Sequence, residues 1–151
     1  MGLLIKMEVD VEIKATAEQF YQVFRTRPHH LPDICSDVDA AEIHDGEWHA
    51  HGSTRSWTYK SGGKSEKIKE KIEFDNAKKK VTHVGIEGDV FQYYKSYKGS
   101  WEAIPKPGGE GAIVKVAVEY EKVNKDAPSP DNYLEIMVGI TKEIDAHLTN
   151  A

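Results

Sequence analysis

The chain is poor in cysteine, in excess basic charge and in long apolar runs. Cys35 is its single cysteine, so no intrachain disulfide can form, and a reducing compartment is expected. Lysine and arginine number 20 against 25 aspartates and glutamates, a net charge of −5, which argues against nucleic acid as a partner. The densest basic run, Lys78-Lys79-Lys80, follows Asp75-Asn76 and reads as a solvated turn. Leu3-Leu4-Ile5 ends at Lys6, far short of a secretory core or of the roughly 20 apolar residues of a membrane span. No transmembrane segment is expected, and the expected location is cytoplasmic. Met1-Gly2 invites a myristoylation check, but Lys6 stands where that signal needs Ser or Thr. With no internal repeat, low-complexity stretch or linker, residues 1–151 are expected to form one domain.

What the chain does have is a long amphipathic ending and a series of alternating segments. From Ser129 to Leu148, Tyr133, Met137, Ile140, Ile144 and Leu148 recur on one face of a 3.6-residue period. Ser129 is expected as the N-cap, with Pro130 at the first helical position and Asp131 at the positive end of the dipole. Near the start, Met7, Val9, Val11 and Ile13 alternate with Lys6, Glu8, Asp10 and Glu12, the period of a strand with one dry face. Thr16 is placed to cap a short helix bearing Phe20, Val23 and Phe24, and Pro28 and Pro32 bracket a second short helical or turn segment.

Between Val38 and Val123, turn signals at Asp45-Gly46, Ser61-Gly62-Gly63, Asp75-Asn76, Glu87-Gly88-Asp89 and Pro105 to Gly111 divide the chain into six strands. The order is strand, two short helices, six strands, long helix: an α+β domain with an antiparallel meander. One helix about 10 Å wide cannot fill the concavity of a curved seven-stranded sheet, so a cavity is expected beneath it. Gly85 and Gly99 remove side chains from strand interiors, permitting a bend or leaving room.

The same order, together with particular residues, resembles the plant pathogenesis-related class 10 and birch-pollen-allergen superfamily, specifically its major latex protein branch. The carrying residues are Met1-Gly2-Leu3, Arg27-Pro28-His29-His30-Leu31-Pro32, His44-Asp45-Gly46-Glu47-Trp48, Ile86-Glu87-Gly88-Asp89, Val118-Glu119-Tyr120-Glu121-Lys122, and Asp131-Asn132-Tyr133 with Asp145-Ala146-His147-Leu148. The resemblance implies a helix-grip fold: a seven-stranded antiparallel sheet wrapped on the C-terminal helix around a hydrophobic cavity. It implies a binder or carrier of amphipathic molecules such as steroids, cytokinins, flavonoids, fatty acids and lysolipids, acting in plant defence or stress response. The glycine-rich loop of the pollen-allergen branch is replaced here by Gly46-Glu47-Trp48-His49-Ala50-His51-Gly52, in which backbone amides have less freedom to converge on an anion.

On that resemblance the expected lining is Phe24, Leu31, Ile34, Trp57, Tyr59 and Ile68, with Val81, His83, Tyr97, Tyr133, Met137, Ile140 and Ile144. Glu70, read as the one charged residue on its strand's apolar face, and His83 need partners if buried. They could fix a ligand's polar end, pair with Tyr97, or satisfy each other or a core hydroxyl. His29 and His30, with Arg25 and Arg27 nearby, could hold an anionic headgroup at the cavity mouth, or form a solvated loop. No metal is expected: His44, His49 and His51 lack a completing ligand. Cys35 near His29 and His30 has neither an orienting group nor an oxyanion site.

No cofactor and no catalysis are expected. Ribonuclease chemistry is disfavoured by the net charge and the altered loop. Condensing relatives place a lysine in the cavity, whereas Lys67, Lys69 and Lys71 fall on the wet face of their strand. The competing readings are an enzyme of the same fold and a ligand-gated module that binds a protein partner. The loops at Gly62 and Gly88 lack the hydrophobic latch such a gate would use.

Overall fold

The computed structural model describes residues 3–150; Met1-Gly2, which entered the resemblance and the myristoylation reading, lies outside the described residues. Strand β1 (Ile5–Ile13) leads into helix α1 (Ala17–Thr26), a 3-10 turn (Pro28–His30) and the short helix α2 (Leu31–Ile34). Six strands follow: β2 (Val38–Asp45), β3 (Thr54–Ser61), β4 (Lys64–Asp75), β5 (Lys80–Gly88), β6 (Tyr94–Pro105) and β7 (Ala112–Lys122), and then helix α3 (Asp131–Thr149). The sheet is antiparallel in the order β1-β7-β6-β5-β4-β3-β2, so β1 closes the meander against its last strand.

Local chemistry accounts for the boundaries. The Thr16 hydroxyl accepts from the Gln19 amide at 3.0 Å, and the Gln19 side chain accepts from the Thr16 amide at 2.9 Å, a reciprocal capping box. Asp145 of α3 accepts from the Lys14 and Ala15 amides, tying the turn before α1 to the long helix. The start of α3 differs from expectation. Pro130, not Ser129, occupies the N-cap position: its carbonyl takes the Leu134 amide, while the Ser129 hydroxyl donates to Asp131.

Two strands also begin differently. β4 starts at Lys64, which puts Glu66 on the apolar face alongside Glu70. In β6 a register shift between Tyr94 and Ser96 turns Tyr94 inward, whereas unbroken alternation back from Tyr97 would put Tyr93 there. Gly88, with φ +142°, is required by crowding: a Cβ there would stand 2.4 Å from the Lys67 carbonyl oxygen. The room left by Gly85 and Gly99 is taken by the Phe91 ring and the Met137 thioether methyl.

The core lies between the sheet's inner face and α1 and α3. Val114, Val116 and Val118 of β7, Ile72 of β4 and Ile144 of α3 are all fully buried there. Among the described residues no helix is long and apolar enough to cross a membrane.

Candidate functional site

A cavity of about 90 Å³ remains between α3 and the middle strands. Phe24 of α1 and Leu31 of α2 close one side, while Tyr133, Ile136, Met137 and Ile140 of α3 form the roof. The floor is Trp57 and Tyr59 of β3, Ile68 and Glu70 of β4, His83 of β5, and Tyr97, Gly99 and Trp101 of β6; Val38 and Val90 complete it. Ten of the thirteen residues expected on the lining are there, and Glu70 is with them. Val81 and Ile144 are buried in the core without reaching the cavity, and Ile34 is half-buried against that core. Ile144 sits one turn beyond Ile140, the last residue of α3 on the lining. Trp101 also lines the cavity; it stands four residues from Tyr97 and so shares its face of β6, which is the sequence signal for it.

The cavity is narrower than one helix over a wide sheet suggests, because aromatic rings occupy the concavity. Tyr94, Tyr97 and Tyr133 pack together with ring centres 5.9–6.4 Å apart. The Tyr59 and Tyr133 hydroxyls both donate to one oxygen of Glu66, at 3.0 and 2.8 Å. Burial first, and then the Glu66 carboxylate, push both phenols well above their usual range, so they remain neutral donors. On the other wall, the Trp101 indole donates to the Thr141 hydroxyl at 3.0 Å, which in turn donates to the Met137 carbonyl.

The polar part of the lining is Glu70 and His83, backed by a residue the sequence reading did not single out. Arg55 is completely buried, because it shares the inward parity of Trp57 and Tyr59 on β3. One guanidinium nitrogen, Nη2, donates to the Trp48 carbonyl at 2.8 Å and to the Ser53 hydroxyl, and the guanidinium lies over the Trp48 ring. Across the strand pair it faces Glu70. Burial pushes the Glu70 carboxyl up to about 8, opposed first by the Arg55 charge and then by the Trp57 indole N–H beside it. Burial, aided by the Arg55 charge, pulls His83 down to about 3, and burial lowers Arg55 to about 10 against the pull of Glu70. At neutral pH the wall therefore presents a mostly protonated carboxyl, a neutral imidazole and a cation. No hydrogen bond joins Glu70 to His83 or Tyr97 among the described residues.

The residues expected at a mouth are elsewhere. Arg25 lies over the Phe74 ring and donates to Asn76 and to the His49 carbonyl, on the side of α1 facing the β4–β5 turn. Arg27, His29 and His30 are exposed and do not line the cavity. His29 stacks on Trp48 with ring centres 5.5 Å apart. His44, His49 and His51 each have a separate partner: the Ser56 hydroxyl, the Glu47 carboxylate and the Phe74 amide. The Cys35 thiol is buried and pushed up to about 12, first by that burial and then by Glu143 and Asp37, so it is not a nucleophile at neutral pH.

A sheet gripping a long helix over a mostly apolar cavity with a few inward polar groups defines a helix-grip protein. The chain belongs to the pathogenesis-related protein Bet v 1 family, whose model matches residues 3–151. It is 39% identical over 147 residues to MLP-like protein 31 of Arabidopsis thaliana, covering 96% of this chain and 86% of that one. MLP-like protein 28 of the same plant is longer: a 38% identical match spans 97% of this chain but 44% of that protein. The crystal structure of ginseng major latex-like protein 151 from Panax ginseng superimposes with a TM-score of 0.90 at 33% identity, over 97% of this chain and 98% of that one. A truncated norcoclaurine synthase from Thalictrum flavum shares the fold, with a TM-score of 0.80 at 17% identity over 99% and 96% of the two chains.

Proposed function

We propose that this protein binds a small amphipathic molecule in the cavity under α3 and carries or sequesters it, without catalysis, in the cytoplasm of a plant cell during defence or stress. The observation that supports this most is the composition of the wall. Apolar and aromatic side chains supply nearly all of it, and Glu70 and His83, with the hydroxyls of Tyr59, Tyr97 and Tyr133, are polar groups among the lining residues. Affinity would come from apolar burial, at about 25 cal/mol per Å², with the polar groups setting orientation.

The volume sets a condition. A 90 Å³ space holds a short fragment, so a larger ligand enters by displacing side chains. Met137 is the one suited to move: unbranched, with three rotatable bonds, and seated against Gly99. The enzyme reading draws on the likeness to norcoclaurine synthase, but no lysine is among the lining residues described here, and Lys67 and Lys71 lie exposed on the outer face.

The test uses 1-aminoanthracene as a neutral apolar probe. Met137→Ala, which enlarges the cavity, is expected to bind it about tenfold more tightly than the parent, and Ile140→Phe, which fills it, about tenfold more weakly. Fluorescence titration reads both. Unchanged affinity in both folded variants would place the probe elsewhere and remove the reading.

A further inference from the structure

The sheet has two open edges, because its strand order begins with β1 and ends with β2. An edge strand presents a row of unpaired N–H and C=O groups, and natural sheets guard such rows with bulges, charges or a covering segment. β2 is guarded by irregularity: its pairing with β3 shifts between Val38 and Ala40 and again between Ile43 and Asp45. β1 runs nine residues against β7 without a shift. Among the described residues, the backbone of Ile5–Ile13 makes no hydrogen bond outside that ladder. The start of this edge is also apolar and open. Leu3 is 77% exposed, Leu4 63%, Ile5 37% and Val9 38%, with Met7 half-buried between the last two, whereas Val11 and Ile13 further along are buried.

The order of charges makes this edge complementary to itself. Pair β1 with β1 of a second copy, antiparallel about a two-fold axis at Met7. Lys6 then faces Glu8 twice, Ile5 faces Val9 twice, and Met7 faces its own counterpart. An axis at Glu8 would set two carboxylates face to face, and an axis at Lys6 two ammonium groups. The Met7 register avoids both and keeps the apolar side chains on one face of the joined sheet. Reach is not a constraint. Lys6 already meets Glu8 of its own strand at 3.3 Å, across residues about 6.8 Å apart along the chain, and opposite residues of paired strands stand closer, at about 5 Å.

We propose that β1 is a homodimer interface, at which two copies of this chain join edge to edge about a two-fold axis at Met7 and form one continuous sheet. The partner is a second copy because the pattern Ile-Lys-Met-Glu-Val, read antiparallel, matches itself. The interface is separate from the cavity under α3.

Sedimentation velocity of the untagged full chain reads the association. The parent is expected to form a reversible dimer with a dissociation constant on the order of 10–100 µM, the weak end that suits a single strand pair. Lys6→Glu sets like charges together in both pairs and should weaken association at least about tenfold, and Glu8→Lys should do the same. An equimolar mixture of these two variants regains both opposite-charge pairs and should associate about as tightly as the parent. A contact within one chain cannot produce that rescue. Lys64→Glu, the same charge change on the exposed β3–β4 turn, should leave association unchanged. A parent that stays monomeric at about 300 µM overturns the inference. So do association that survives Lys6→Glu, equal loss in Lys64→Glu, and a mixture that stays monomeric. Each of these leaves the carrier reading in place.

Discussion

Phe24→Ala is expected to destabilise the protein by about 3–5 kcal/mol, a large part of the roughly 5–15 kcal/mol that holds a domain folded. Phe24 is 2% exposed and packs on the Trp101 ring at 4.8 Å, the Phe20 ring at 5.6 Å and the His83 ring at 5.9 Å. It is the contact by which α1 reaches across the concave face, between the polar wall and the apolar floor. His83 and Trp101 belong to strands β5 and β6, held in their ladder, so they cannot collapse into the space left behind. The cost should therefore fall at the upper end for a phenylalanine truncation. Thermal unfolding should show Tm lower by roughly 6–20 °C. A loss below about 1 kcal/mol would mean that α1 is not seated on the sheet in this way.

Glu70→Gln is expected to stabilise the protein increasingly as pH rises. The folded-state pKa, about 8, lies above the ordinary value of 4.5. Below pH 4.5 the carboxyl is protonated in both folded and unfolded chains, and its contribution is fully present. Between 4.5 and 8 the unfolded chain ionises and the folded one does not, so stability is lost at about 1.4 kcal/mol per pH unit. Above 8 both forms are ionised and the difference levels off. Glutamine keeps the shape and does not titrate, so the variant's advantage should reach on the order of 4 kcal/mol by pH 8.5. Urea unfolding at pH 5, 6.5 and 8.5 gives the three points. A parent that gains on the variant with rising pH would show Glu70 ionised and paired with Arg55, contrary to this account.

Much of the fold was legible because its signals are periodic. Alternation in β1, β4, β6 and β7 and glycine- or proline-bearing turns set the number and order of strands, and a four-three-four spacing set α3. The boundaries were less legible where two residues compete for one role. Ser129 and Pro130 can both precede a helix, and the choice depends on whether the serine hydroxyl meets a backbone amide or, as here, the Asp131 carboxylate. Glu66 was hidden because Glu70 was read as the one charged residue on that strand's apolar face, and the two tyrosine partners of Glu66 come from β3 and α3, far apart in sequence.

Arg55 was overlooked because a charged residue in a strand is ordinarily assigned to the wet face. Its parity with Trp57 and Tyr59 was the available signal. The size of the cavity was not legible at all: it depends on how tyrosine rings and the Met137 side chain fill a concave surface, which is set by packing in three dimensions. Arg25 and His29 are close in sequence to Leu31, which does reach the cavity, but α1 and the 3-10 turn point them outward.

Native mass spectrometry of the protein purified from its own tissue tests the central claim most directly. The account predicts one amphipathic molecule per chain, retained under native conditions and released on denaturation. A bare polypeptide, with no rise in melting temperature on adding octanoate, 1-octanol or 1-aminoanthracene, would contradict it.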